Sequence, residues 1–147
     1  MKPFEDIPVD TLLPQQPPFR FVDRLLYCDE RHAEVEFTVP AGGVFVAGAC
    51  LQPGGLVEHM AQACSAMTGY IAIYIRITPV SVGYLGHVRS LQIFRQPSAG
   101  ERLHTRVEVI EDIFGILMAR VSVFCADEPI AKGILKTASA AKENIAG

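Results

Sequence analysis

"LQPGGLVEHMAQACSAMTGYIAIYI", residues 51–75, decides how this chain folds. From about Gly54 to Ile75 the apolar residues surround a helical axis instead of forming one stripe. A helix of that kind is buried on nearly every side. The rest of the chain must therefore supply cover for it. A single charge interrupts the stretch: Glu58 is the only Asp, Glu, Lys or Arg between Glu36 and Arg76.

Outward from the helix the pattern changes period. Toward the N-terminus, residues 19–29 and His32–Val39 read as two strands joined at "CDER". The second alternates, with Ala33, Val35, Phe37 and Val39 on one face. Proline punctuates "DTLLPQQPPF" (residues 10–19), which reads as a helical turn and then loop. The stretch from Pro40 to Pro53 is rich in glycine and small residues, the composition of a loop. Toward the C-terminus, four strand-like runs follow "ITP", at about Val80–Arg95, Glu101–Glu111, Gly115–Cys125 and Pro129–Thr137. "PSAGE", "EDIFG" and "ADEP" separate them. Two strands, a buried helix and four more strands predict an α+β fold, an antiparallel sheet wrapped around a long central helix. With 147 residues and no repeat or linker, residues 1–147 read as one domain.

Composition narrows the function. A net charge of −3, with no basic stripe, argues against non-specific nucleic-acid binding. The four cysteines, Cys28, Cys50, Cys64 and Cys125, are scattered, so neither a metal site nor a disulfide framework is expected. "MKPFEDIPVD" has no apolar core and does not read as a secretory signal, and unpaired thiols fit a reducing cytoplasm. Residues 59–75 are uncharged, but His59, Gln62, Ser65 and Thr68 dilute them, so a core helix is expected and no membrane span.

Two readings of Glu58 follow. At the head of a helix an acid is favoured by the dipole, by about 0.3–1 kcal/mol. Alternatively, apolar surroundings without a cation favour the protonated form of a carboxylate, and such a group suits acid/base work. Gly54 and Gly55 add that a ligand could approach the backbone, where free N–H groups could meet a carbonyl oxygen.

Three segments then resemble one family in the right order. "LLPQQPPFRFVDR" (Leu12–Arg24) resembles the L-L-P-H-R-x-P-F-x-x-V-D-R signature of hotdog-fold 3-hydroxyacyl-[acyl-carrier-protein] dehydratases. "PGGLVEHMAQA" (Pro53–Ala63) resembles their P-G-V-L-I-V-E-A-M-A-Q-A segment. "GYLGHVRSLQIFRQPSAGERL" (Gly83–Leu103) resembles the strand, R-P-V-x-P-G-D and strand that follow. The resemblance implies a hotdog fold, pairing of protomers around acyl tunnels, and elimination of water from a 3-hydroxyacyl chain on the 4'-phosphopantetheine arm of an acyl carrier protein. It implies no cofactor and no metal. Glu58 would be the acid, and the Gly54 or Gly55 amide the clamp on the thioester carbonyl.

The chain departs from that pattern at its histidines. The position of the family's catalytic His falls on Val44, counted from Glu58, or on Phe45, counted from the Pro-Gly pair. The His of the first signature is Gln15. His59 and His87 are therefore candidate substitutes for the base. Phe45 and Gln62 join the two glycines as candidate substrate-binding residues. Loss of the His is shared with divergent members in pigment (aryl-polyene type) systems, which partner a second dehydratase. A homodimer or higher oligomer, or a heterodimer, is expected. A non-catalytic acyl-binding subunit and a hotdog thioesterase remain alternatives. Carrier proteins are acidic, so Arg76, Arg89 and Arg95 are candidate docking residues. Met60, Met67, Phe45, Tyr84 and Phe94 are open as tunnel lining.

Overall fold

The computed structural model describes residues 2–80 and 82–140. Ser81, within the run expected from Val80, lies outside the described residues. The central element is an α-helix, Pro53–Tyr70 (α1), with proline at its first position, where a missing N–H costs nothing. It continues as a wider π-helical segment, Ile71–Arg76, and stops at Ile77 in the left-handed region, φ 53°.

Six strands form one antiparallel sheet: Arg24–Cys28 (β1), His32–Thr38 (β2), Val82–Ile93 (β5), Arg102–Ile113 (β6), Ile116–Cys125 (β7) and Glu128–Ala140 (β8), in the order β1-β2-β6-β7-β8-β5. The glycine-rich loop holds a small ribbon that the sequence pattern did not reveal, Val46–Ala47 (β3) paired with Cys50–Leu51 (β4). Alternation carries the packing. Ala33, Val35 and Phe37 of β2, Leu103, Thr105 and Val107 of β6, and Ala119, Val121 and Val123 of β7 are buried. Against them lie Leu56, His59, Met60, Ala63 and Met67 of α1, also buried. A helix wrapped in an antiparallel sheet is the hotdog arrangement.

The N-terminal lead-in closes the core on the other side. It has two 3-10 turns, Phe4–Asp6 and Val9–Thr11, and buries Leu12, Leu13, Phe21 and Val22. It passes so near α1 that a Cβ on Gly69 would stand 2.4 Å from the Leu12 carbonyl oxygen. No helix among the described residues is long and apolar enough to cross a membrane. All four cysteines are free thiols.

Alanine is the better helix former, by about 1 kcal/mol over glycine. At Gly69 backbone collision outweighs it, because neither the helix nor the lead-in can yield without disturbing the core. Gly69→Ala is expected to lose about 1–3 kcal/mol. Urea unfolding checks this, and a gain in stability would refute the close approach.

Candidate active site on the open stripe of the helix

Helix α1 is not covered all the way round. Gly54 and Thr68 are exposed, and Glu58, Ala61 and Ser65 are half-buried. These residues are three or four apart, so they form one stripe. Across it stand Gly83 and Leu85 of β5 and Thr137 of β8, and together with Gln15, Glu58, Ala61, Gln62 and Ser65 they line a cavity of about 80 Å³. Ser65, Gly83 and Thr137 also line a second hollow of about 190 Å³, which continues past Thr68 and Ala72 to Arg76 and Asp112. The two make one groove beside the helix. From Glu58 to Ala72 the helical rise is roughly 20 Å. At the far end the Arg76 guanidinium lies 3.7 Å from the Asp112 carboxylate.

Glu58 stands at the near end. It lies in the second turn of α1, and the first turn holds no acidic residue, so the dipole is not what places a carboxylate there. Among the described residues it has no cationic partner; its Oε1 accepts a hydrogen bond from Gln62 Nε2 at 3.1 Å. Gln62 is buried and fully used. Its Nε2 also donates to the Phe19 carbonyl at 2.8 Å, and its Oε1 accepts from the Phe21 N–H at 2.6 Å. Gln62 thereby ties the acid to the lead-in.

The expected imidazoles are not beside Glu58. His59 is fully buried on the other side of the helix. Its Nδ1 lies 2.7 Å from the Phe21 carbonyl oxygen and its Nε2 2.6 Å from Thr105 Oγ1. Its ring stacks on Phe37 at 5.1 Å. Both nitrogens are occupied by the fold, which corrects the expectation of a catalytic His59. His87 is exposed on β5 opposite Lys136 and does not line the cavity. His32 and His104 sit on the outer sheet face beside Glu108 and Glu34. None of the four histidines reaches the groove.

The glycines separate by their amides. The Gly55 N–H donates to the Gln52 carbonyl at 2.9 Å, as does that of Leu56 at 3.1 Å. The Gly54 N–H has no partner among the described residues. A Cβ on Gly55 would meet Leu51 Cδ1 at 2.6 Å and Phe45 Cβ at 2.7 Å, so glycine there serves packing. Gly54 is exposed one helical turn before Glu58 on the same stripe, and is the better placed of the two to meet a carbonyl oxygen. Phe45 packs edge-on against Phe21 at 5.5 Å and borders Gly54, outside the Glu58 cavity.

Of the candidate docking arginines, Arg95 is locked between Glu101 at 2.7 Å and Glu128 at 2.9 Å, and Arg76 faces Asp112. Arg89 pairs with no carboxylate among the described residues; its Nη2 lies 3.8 Å from Met118 Sδ. Sequence reasoning missed Ser65, Thr137 and Gly83 as lining. Ser65 was within reach of it, since Glu58, Ala61, Ser65 and Thr68 share helical spacing. Thr137 and Gly83 depend on the pairing of β5 with β8, which no local signal reveals.

The central helix of this hotdog fold thus carries a half-buried carboxylate beside a groove. Residues 7–146 match the family described as "ApeP-like: ApeP dehydratase", and the chain belongs to that family. No curated protein matches the chain in sequence. Among solved structures, it is similar to the dehydratase heterocomplex ApeI:P from Xenorhabdus doucetiae, at 21% identity over 95% of each chain and a TM-score of 0.86. A hypothetical thioesterase with coenzyme A from Streptococcus pneumoniae is similar at 11% identity, with 79% of this chain and 84% of that one covered and a TM-score of 0.61. A Streptococcus mutans protein bound to acetyl CoA is similar at 13% identity, with 87% and 95% covered and a TM-score of 0.65.

Burial pulls the His59 imidazole down from 6.5 to about 4, against the raising effect of the Phe21 carbonyl. The unfolded chain therefore binds a proton that the folded chain refuses. Stability from this group is complete above pH 6.5 and is lost as pH falls toward about 4. In His59→Gln the starting stability is expected to be lower and the decline over that window shallower by about one proton. Urea midpoints between pH 7 and 4.5 measure both.

Proposed function

We propose that this chain is the acid-bearing subunit of a dehydratase that removes water from a 3-hydroxyacyl thioester. The thioester is carried on the 4'-phosphopantetheine arm of an acyl carrier protein, in fatty-acid or polyene-type biosynthesis. The observation that carries this reading is Glu58, a half-buried carboxylate with only an amide donor, at the head of a groove along α1. Protonated Glu58 gives its proton to the C3 hydroxyl as the C3–O bond breaks and water leaves. The electron pair of the C2–H bond becomes the C2=C3 double bond, and the C2 proton passes to a base. The Gly54 N–H meets the thioester carbonyl, where negative charge develops.

None of the four histidines reaches the groove, so we assign the base to a second subunit. Two observations support a partner. The ApeI:P relative is a heterocomplex. In this chain β5 is an edge strand beside the groove, with Tyr84, Leu85 and Leu91 exposed on it and Phe94 exposed just after it. An apolar edge of that kind calls for a pairing strand. The free thiols agree with work in the cytoplasm.

The assay incubates the chain, alone and with a dehydratase partner, with 3-hydroxyacyl carrier protein and follows the product mass. Loss of water that falls by about 10²–10⁴-fold in Glu58→Gln is expected. Equal rates in wild type and variant would overturn the mechanism. Release of free acid would identify a thioesterase, and binding without turnover in either form a non-catalytic subunit.

Docking should fall on Arg89, which has Lys132 and Lys136 on the neighbouring strand and is the candidate without a carboxylate partner. Arg89→Glu is expected to weaken carrier-protein binding about tenfold at low salt, with the difference fading as ionic strength rises. An unchanged affinity removes Arg89 from the interface.

A further inference from the structure

The cavity beside Glu58 contains one polar atom that the chain leaves unpaired. Gln15 Oε1 is shielded from solvent and accepts no hydrogen bond; among the buried side-chain polar atoms of the described residues it stands alone in this. Gln15 belongs to the lead-in and lines the cavity with Glu58, Gln62, Ser65 and Thr137. A buried acceptor without a donor loses the hydrogen bonds that water would give it. The adjacent amide cannot supply one, because Gln62 Nε2 already serves Phe19 and Glu58. Whatever fills the cavity must bring the donor.

A hydroxyl group offers one donor and two acceptor lone pairs. Placed between Glu58 and Gln15, it would accept from a protonated Glu58 and give its own hydrogen to Gln15 Oε1. We propose that Gln15 determines specificity at this site: its Oε1 accepts the hydrogen bond of the substrate's 3-hydroxyl group and turns a lone pair of that oxygen toward Glu58. The proposal rests on the dehydratase reading and deepens it. A carboxamide neither takes nor gives up a proton near neutral pH, so Gln15 orients the leaving group and leaves the proton transfer to Glu58. The consequence is selectivity. A thioester without the hydroxyl leaves Oε1 dry and unpaired, and a site built to bond a hydroxyl discriminates against the analogue that lacks it.

The test compares 3-hydroxyoctanoyl-pantetheine with octanoyl-pantetheine by titration calorimetry on the full chain, with mass spectrometry to establish that both probes stay intact. The wild type is expected to bind the hydroxylated probe about tenfold more tightly. In Gln15→Met, which keeps the length and removes the acceptor, the two affinities should become equal, with octanoyl binding undiminished. A merely structural Gln15 would shift both probes together. Equal affinities in the wild type, as expected if Gln15 held a hydrolytic water, overturn the proposal while the thioester site stands, as does a preference that survives in Gln15→Met. Binding of neither probe overturns the site and the proposal together. Gln15→Leu repeats the comparison should the methionine variant not fold, and the wild-type pair decides by itself in the negative.

Discussion

The satisfaction of two polar side chains inside a dry core holds this site together. His59 and Gln62 are nearly adjacent on α1, and both reach the lead-in. His59 meets the Phe21 carbonyl and Gln62 the Phe21 N–H, so one residue has both its backbone groups bonded by the helix. Leaving either side chain unpaired there would cost about as much as a core cavity. The contact therefore fixes the height and rotation of the lead-in on the helix. Gln15 enters the Glu58 cavity because the lead-in is fixed there, and Glu58 is held because Gln62 is. On the proposed reading, catalytic geometry and fold stability share the same few hydrogen bonds.

The sheet and helix were legible because their periods differ and neither is interrupted. The helix was expected over Gly54–Ile75 and spans Pro53–Tyr70 with a π-helical continuation to Arg76, and β2 shows the foreseen alternation. The four later strands fall within a few residues of their expected bounds. Glu58 stood out because charge is rare there. What could not be read depends on side-chain direction and on pairing between distant segments. His59 and Glu58 are neighbours in sequence and point about 100° apart, one into the core and one into the groove. The helix also looked apolar on all sides because Ala61, Ser65 and Thr68, which floor the groove, are small or weakly polar. A stripe of small residues is easily mistaken for core. Gln15 looked like a loss relative to the family signature, and only the approach of the lead-in to α1 reveals its unpaired oxygen.

Edge and groove are one feature seen from two sides. Sheet order leaves β5 with a partner on one side only, β8. The same strand brings Gly83 and Leu85 to the cavity. A Cβ on Gly83 would stand 3.6 Å from Ser65 Oγ, so strand and helix approach closely along the groove. Anything that pairs with β5 would wall the groove and shift its solvent exposure. On the proposed reading, assembly and chemistry are coupled through this strand: a partner that covers Leu85 also dries the surroundings of Glu58.

On the proposed reading, Glu58 is set apart from the carboxylates that arginines hold. Glu101 is gripped by Arg95 and accepts the Ser98 N–H, which together pull it down to about 2, so it is ionised near neutral pH. Glu36, Glu108, Glu128 and Asp112 each face an arginine. Such pairs trade reactivity for position. Glu58 is held in place by an amide, which contributes direction without a positive charge. On the proposed reading, that neutral tether fixes the oxygen that meets the leaving hydroxyl.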